Sequence, residues 1–406
     1  MAFFAARQPI LDVNKNVYGY ELLFRTGADN VFPDIDQEKA TSKMIEGLQF
    51  DLGLDKISSG KFAFINFTEE SIIKSYPRLL PKDKVVIEIL ETVNPTDEIY
   101  TELKELYDEG YVIALDDFIH NEQWERFYEI CKIIKVDCLN ILEDELTEIA
   151  SLQKRHPHIL LLAEKVESYQ EFTRYLDLGF DLFQGYFFSK PELMTNASMS
   201  SSQALLSSLL TEITKDQPNI KLITSKLEMD AGLSFKVLRY TQSPLFKRAG
   251  KIESIRHAVI MLGEAELERI IMLLFAASLG HDKPNELIKL SMHRAKFCES
   301  LAVISRTKDN ISSAFLVGML SLVDAMLDAS IEDLIGNMPL SDSIKEALLT
   351  KTGWLAEAVS ICEIIEKGEW VKLDKACVVM ELEYDEVVSA YLDSAIWAQE
   401  RLELMV

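Results

Sequence analysis

From the N-terminus to about residue 190, short apolar runs rich in valine, isoleucine and aromatics alternate with longer amphipathic stretches. The runs VYGYELLF, FAFINF, VVIEIL, VIALDDF, IIKVD, ILLLAEKV and LFQGYFF read as strands. KVVIEIL and HILLLAE are apolar on consecutive residues rather than on alternate ones, as parallel strands covered by helices require. Between strands, PTDEIYTELKELYDEG has the marks of a helix, with Thr96 as its N-cap and Gly110 at its C-terminal stop. Repeated βα units predict an α/β first half, either a closed barrel or an open doubly wound sheet.

The polar positions choose between these two. A polar residue stands at or near the C-terminal end of each strand: Glu21, Asn66, Glu88, Asp116 with Asp117, Lys135, Glu164 and Gln184. In a (β/α) barrel all those ends meet at one mouth, whereas an open sheet spreads them along an edge. The pair in VIALDDF raises the sharpest question. Adjacent like charges at a strand end repel unless a cation or a helix N-terminus meets them. By itself Asp117 reads equally as a helix cap beside a solvated Asp116. With the other acids and the amides at the same mouth, the set reads as a site for divalent cations. Oxygen ligands without His or Cys suit Mg2+ or Mn2+ rather than zinc. Two such ions are the usual device for hydrolysing phosphate esters, and a lysine among them can hold water or neutralise developing charge.

After about residue 202 the strand-like runs stop. LSFKVLRYTQS, SIRHAVIMLG and LERIIMLLFAASLG place apolar residues at helical spacing and predict an all-α second half. The expected division is 1–192 for the barrel, a small polar linker over 193–202, and 203–406 for the helices. His257 and His293 read as packed or capping residues rather than ligands.

Charge narrows the partners. The net charge of −24 over 406 residues repels a phosphate polymer or an anionic membrane, so neither is expected. Five scattered cysteines without a C-x-x-C pair point to a reducing compartment. MAFFAARQPI lacks the basic and long apolar regions of a signal peptide, and Ile270–Leu279 is about half a membrane span. The expected location is the cytoplasm.

The order RQPILD, YELLFR, INF, IEILE, LDDF, KVD, AEKVE and QGYFFSKP resembles the EAL domain family, from about Gln8 to Pro191. These are TIM-like barrel phosphodiesterases that linearise the second messenger cyclic di-GMP. The resemblance implies that Glu21, in ELL where the family has EAL, ligates a metal with Asn66, Glu88 and Asp116. It gives Asp116, Asp117 and Glu164 to a second metal, either Mg2+ or Mn2+ at both. Lys135 would hold the hydrolytic water with Glu164, and Gln184 would position the water or the phosphate. Gln8 and Arg25 would contact the nucleotide, in company with Glu21 and Gln184. Two departures stand out: Ile119 and Lys165 occupy positions where the family has glycine. They leave open an alternative, in which a catalytically degenerate barrel acts as a cyclic di-GMP receptor or as a scaffold.

The second half is similar to HDOD domains, on LSFKVLRYTQSPLF, SIRHAVIMLG and AFLVGMLSLVDAML. Metal-bearing HD relatives carry a His-Asp pair after the glycine and leucines, whereas here Gly318 is followed by Met319, Leu320, Ser321 and Leu322. The helical half therefore reads as a regulatory or partner-binding module whose protein partner is unknown, and a homodimer is a further expectation.

Overall fold

A computed structural model of the chain describes residues 4–25, 54–116, 122–139, 141, 143–190, 201–215, 217–241, 254–279, 283–305, 311–336 and 340–405. Eight strands close into a barrel in the order β1 to β8. They are Phe4–Asp12 (β1), Val17–Arg25 (β2), Phe62–Phe67 (β3), Val85–Ile89 (β4), Val112–Leu115 (β5), Ile133–Asp137 (β6), Leu160–Glu164 (β7) and Leu182–Gln184 (β8). The closed sheet decides for the barrel over the open sheet.

The seven strands predicted from apolar runs are all present, and β1 is added to them. Arg7, Gln8 and Pro9 interrupt its apolar run, and this kept it from reading as a strand. It also runs against the pattern of its neighbours, antiparallel to both β2 and β8, while β2 to β8 are parallel. A short turn explains why β1 and β2 are antiparallel. Asp12 accepts hydrogen bonds from the main-chain N–H of Asn14 (2.8 Å) and Asn16 (2.9 Å), so the chain reverses without a crossover helix.

The connecting helices follow the local chemistry. Thr96 accepts from the N–H of Ile99, Gly110 closes the helix Asp97–Glu109 in a left-handed conformation, and Ile99, Leu103 and Leu106 are buried. Ser168 and Glu171 form a reciprocal capping box on the helix Tyr169–Asp177. Between β5 and β6 the crossover carries a 3-10 helix, Glu122–Glu129, where a regular barrel has an α-helix.

Inside the barrel lies an apolar layer made of Ile10, Phe64, Val86, Ala114, Ile133, Leu162 and Leu182. Side chains alternate across a strand, so each member shares the inward face with the residue two positions away. Those residues are Gln8, Asn66, Glu88, Asp116, Lys135, Glu164 and Gln184. The polar mouth and its apolar floor are therefore two consecutive layers of one pattern. On β2 the floor position is Gly19, where an added Cβ would stand 2.7 Å from the Phe64 ring. Glycine leaves room there for a large floor residue on the neighbouring strand.

The chain forms two compact units. One comprises Met1–Phe188 together with Ile364–Ala376, and the other Ser189–Glu363 together with Cys377–Val406. The described residues of the second unit are helical without strands, in line with the 3.6-residue spacing. The expected linker falls mostly on residues outside the described ones, and a helix begins at Ser201. Among the described residues no helix is long and apolar enough to cross a membrane.

Candidate active site

The centre of the mouth is Lys135. It projects inward from β6, is 1% exposed, and carries four carboxylates around its ammonium. Nζ lies 2.7 Å from Asp116 Oδ1, 2.8 Å from Glu88 Oε1, 3.0 Å from Glu164 Oε1 and 3.5 Å from Glu21 Oε2. Each acid comes from a different strand end. The amides complete the ring. Gln184 Nε2 donates to Glu21 Oε2 (2.6 Å) and to Gln8 Oε1 (3.0 Å), and Asn66 Nδ2 reaches Glu21 Oε1 at 3.5 Å.

One ammonium cannot balance four buried carboxylates, and the proton affinities show it. Burial drives the Glu88 carboxyl well above its usual value, with the charges of Glu21 and Asp116 adding to the rise and Lys135 opposing it. Burial raises Glu164 to about 8, again against Lys135. Glu21 goes down despite burial, because Lys135 and the amides of Gln184 and Asn66 stabilise its charge. Lys135 itself is held charged: burial would neutralise it, but the four acids outweigh burial. The site thus favours the charged forms of Glu21 and Lys135, while Glu88 and Glu164 bind protons more tightly than exposed carboxyls do.

That surplus is a test of whether a divalent cation fits. Oε2 of Glu88, Oδ1 of Asn66 and Oε1 of Gln184 are buried and accept no hydrogen bond, an expensive state for polar atoms. All three are hard oxygen donors of the kind Mg2+ or Mn2+ takes. Among the described residues no three acids stand together as a ready cage, since the ammonium of Lys135 fills the space between them. The donor set fits the metal, and the lysine holds the acids together in its place.

The candidates from the sequence divide clearly. Gln8, Glu21, Asn66, Glu88, Asp116, Lys135, Glu164 and Gln184 converge on one mouth. The main chain of Arg25 ends β2 opposite Phe4. Asp117 and Ile119 lie outside the described residues. Lys165 takes the left-handed conformation (φ 57°) that glycine would take, so the backbone path survives the replacement. Its ammonium pairs with Asp137 Oδ2 at 2.5 Å. Gly185 follows Gln184 at φ +142°, where a Cβ would meet the Val166 carbonyl oxygen at 2.1 Å. Only glycine permits β8 to turn so closely past β7.

Two participants were not read from sequence. Asp137 takes the charge of Lys165, and the main-chain carbonyl of Glu366 accepts from Gln8 Nε2 at 3.1 Å. Asp137 stood in the KVD motif as a strand end. Nothing in EIIEKGEW marks Glu366, which is 358 positions from Gln8.

Comparison with known proteins shows the family. The EAL domain model matches residues 2–191 and the HDOD domain model residues 199–329. The chain is 35% identical over 403 residues to the cyclic di-GMP phosphodiesterase CdgJ of Vibrio cholerae, covering 98% of this chain and 92% of that one. This chain belongs to the EAL domain family, with an HDOD domain after the barrel in sequence. It is also 33% identical over 411 residues to YuxH of Bacillus subtilis, an uncharacterized protein, covering 99% of this chain and all of that one (100%). Among solved structures, the calcium and cyclic di-GMP complex of Klebsiella pneumoniae BlrP1 at pH 8.0 is similar at 25% identity. It covers 47% of this chain and 56% of that one, with a TM-score of 0.39.

Among the described residues of the HDOD half, His257 and His293 carry no such constellation. His293 is buried, with Nε2 2.9 Å from the Tyr391 carbonyl and its ring against Tyr391, and it serves packing. The main-chain N–H of His257 is capped by Ser254 Oγ. Ser321, at the position of the missing His-Asp pair, donates to the Gly318 carbonyl (2.8 Å) and accepts from Arg294 (3.3 Å).

Proposed function

We propose that this chain is a cyclic di-GMP phosphodiesterase that opens the ring to linear pGpG in a reaction dependent on Mg2+ or Mn2+. The observation that carries this reading is the buried ammonium of Lys135 within 3.5 Å of four carboxylates, with uncompensated oxygens beside it. A module that only bound a nucleotide has no need of so costly a charge cluster. Glu21, Asn66, Glu88 and Asp116 would hold one ion, and Asp116, Asp117 and Glu164 the other. Bound there, the ions supply positive charge for the phosphate oxygens and lower the proton affinity of water.

The chain's own groups then have distinct tasks. Lys135 and Glu164, in contact at 3.0 Å, would share the hydrolytic water: the lysine would hold its oxygen and Glu164, whose proton affinity burial raises, would accept its proton. The water oxygen bonds to phosphorus as the bond to the 3′ oxygen breaks, leaving a 5′ phosphate on the linear product. Lys135 also offsets the charge that builds on the phosphoryl oxygens. Gln184 presents Oε1 toward the water or the phosphate, while Gln8 and Arg25 contact the nucleotide. The dry apolar floor excludes bulk water and strengthens each of these interactions.

Residues 203–406 act as a regulatory module that binds a protein partner, linked through 193–202 to a barrel of residues 1–192. All five cysteines are free, and we place the protein in the cytoplasm. The test is incubation of pure protein with cyclic di-GMP and Mn2+, with nucleotides resolved by chromatography, beside a binding titration in Ca2+. Appearance of pGpG supports the enzyme. Binding without product makes the barrel a receptor, and absence of both makes it a scaffold.

A further inference from the structure

The barrel unit contains a segment from the far end of the chain, Ile364–Ala376. Its turn follows the last residue of the helix Trp354–Glu366 and reaches the mouth at β1 and β2. The Glu366 carbonyl accepts from Gln8 Nε2 at 3.1 Å. Gly368, at φ +67°, lies so close to Leu23 that an added Cβ would stand 3.2 Å from Leu23 Cδ1. Leu23 is two residues beyond Glu21 on the same face of β2.

A main-chain carbonyl can only accept, and this fixes what lies downstream. Gln8 must turn its NH2 group toward Glu366, which leaves Gln8 Oε1 to accept from Gln184 at 3.0 Å. The other hydrogen of Gln184 Nε2 goes to Glu21 Oε2 at 2.6 Å. Both hydrogens of Gln184 are then used, and its Oε1 is buried without a donor. A side-chain amide is nearly symmetric in shape and could present nitrogen instead of oxygen. Here its polarity is set from both sides.

We propose that Glu366 is a positioning residue for the barrel site: its carbonyl, held by the turn at Gly368, orients Gln8 and so makes Gln184 present oxygen rather than nitrogen to the reacting water. This rests on the phosphodiesterase reading for its consequence, and on the hydrogen-bond chain alone for its geometry. The Gln8 nitrogen carries a second hydrogen for the nucleotide, so positioning and nucleotide contact are compatible. A barrel whose Gln184 is oriented by residues 364–376 is tied through the chain to the helices on either side of that segment.

The test perturbs the turn and reads the amide. Gly368→Val opposes the left-handed conformation and crowds Leu23. Gly368→Asn, the side chain that tolerates that conformation best, is the conservative comparison. Gly368→Ala serves if the valine variant does not fold. The side-chain NH2 signals of Gln8 and Gln184 are assigned with Gln8→Leu and Gln184→Leu, and their solvent exchange is followed by NMR in the full chain without substrate. The expected result is exchange of the Gln184 amide at least about tenfold faster in Gly368→Val or Gly368→Ala, with Gly368→Asn close to the parent. Unchanged Gln184 exchange overturns the proposal whether or not the protein turns over substrate. Where the parent produces pGpG, Gly368→Val should lower kcat about tenfold with KM little changed, and add nothing in a Gln184→Leu background. An undiminished effect in that background also overturns it. Failure of the parent to make pGpG would sink the phosphodiesterase reading and leave the exchange test standing.

Discussion

Replacing Lys135 with Met removes the one positive charge at the centre of the mouth and keeps most of the volume. Four carboxylates lie within 3.5 Å of that charge, and Glu88 among them is 0% exposed. Breaking a buried ion cluster by deleting one partner costs about 3 to 5 kcal/mol, because the remaining charges stay buried without compensation. The lower end applies near pH 6, where Glu88 and Glu164, already raised by burial, can take up protons. The upper end applies as pH rises and those protons are lost. At roughly 2–4 °C per kcal/mol for a unit of about 200 residues, the metal-free melting temperature should fall by about 6 to 20 °C. Mn2+ should restore more stability to the variant than to the parent, since the acids then have no lysine to share them. A hundredfold excess over the dissociation constant is worth about 2.7 kcal/mol. The assay is thermal unfolding of both proteins at pH 6 and pH 8, with and without millimolar Mn2+, alongside pGpG formation, which the variant should lack. A variant as stable as the parent without metal, or equal Mn2+ shifts in the two, would refute the account of the charge cluster.

Three further outcomes follow from other parts of the site. Without metal, the parent should lose stability as pH rises from about 4.5 to about 8: Glu164 binds its proton more tightly folded than unfolded, so the folded state holds the extra proton across that window. Glu88 acts in the same direction and Lys135 does not titrate there, so the slope, measured by chemical denaturation, should flatten when Mn2+ is added. Lys165→Gly removes a left-handed non-glycine worth about 1 kcal/mol and loses a half-exposed ion pair with Asp137 worth no more. Its stability should therefore change by less than about 1 kcal/mol and pGpG formation by less than about threefold; a tenfold gain in rate would show that Lys165 restrains catalysis. Gly185→Ala places a methyl 2.1 Å from the Val166 carbonyl at a φ that alanine avoids, and should cost at least about 3 kcal/mol by denaturant titration.

Strand ends were legible because inward residues recur every second position. Phe64 with Asn66, Val86 with Glu88 and Ile133 with Lys135 each put an apolar floor and a polar mouth on one face. Convergence of eight such residues followed once the barrel closed. What sequence spacing did not reveal is anything set by contact across the chain. β1 carries Arg7, Gln8 and Pro9 where a strand signal needs apolar residues, and its pairing partners, not its propensity, make it a strand. The role of Glu366 depends on its main-chain carbonyl, an atom every residue has, and so leaves no mark in composition or period. Lys165 was legible as a departure, but its pairing with Asp137 was not, because the two meet only through the register of β6 against β7.

The most direct test of the central claim is chromatography of cyclic di-GMP incubated with Mn2+ and the full chain, beside a Glu164→Gln variant that keeps the shape of the mouth and loses one charge. The account predicts pGpG from the parent at a rate proportional to enzyme, and a loss of at least about a hundredfold in the variant, with nucleotide binding retained by titration in Ca2+. Intact cyclic di-GMP after prolonged incubation with a parent protein that binds it, or equal product from both proteins, would contradict it.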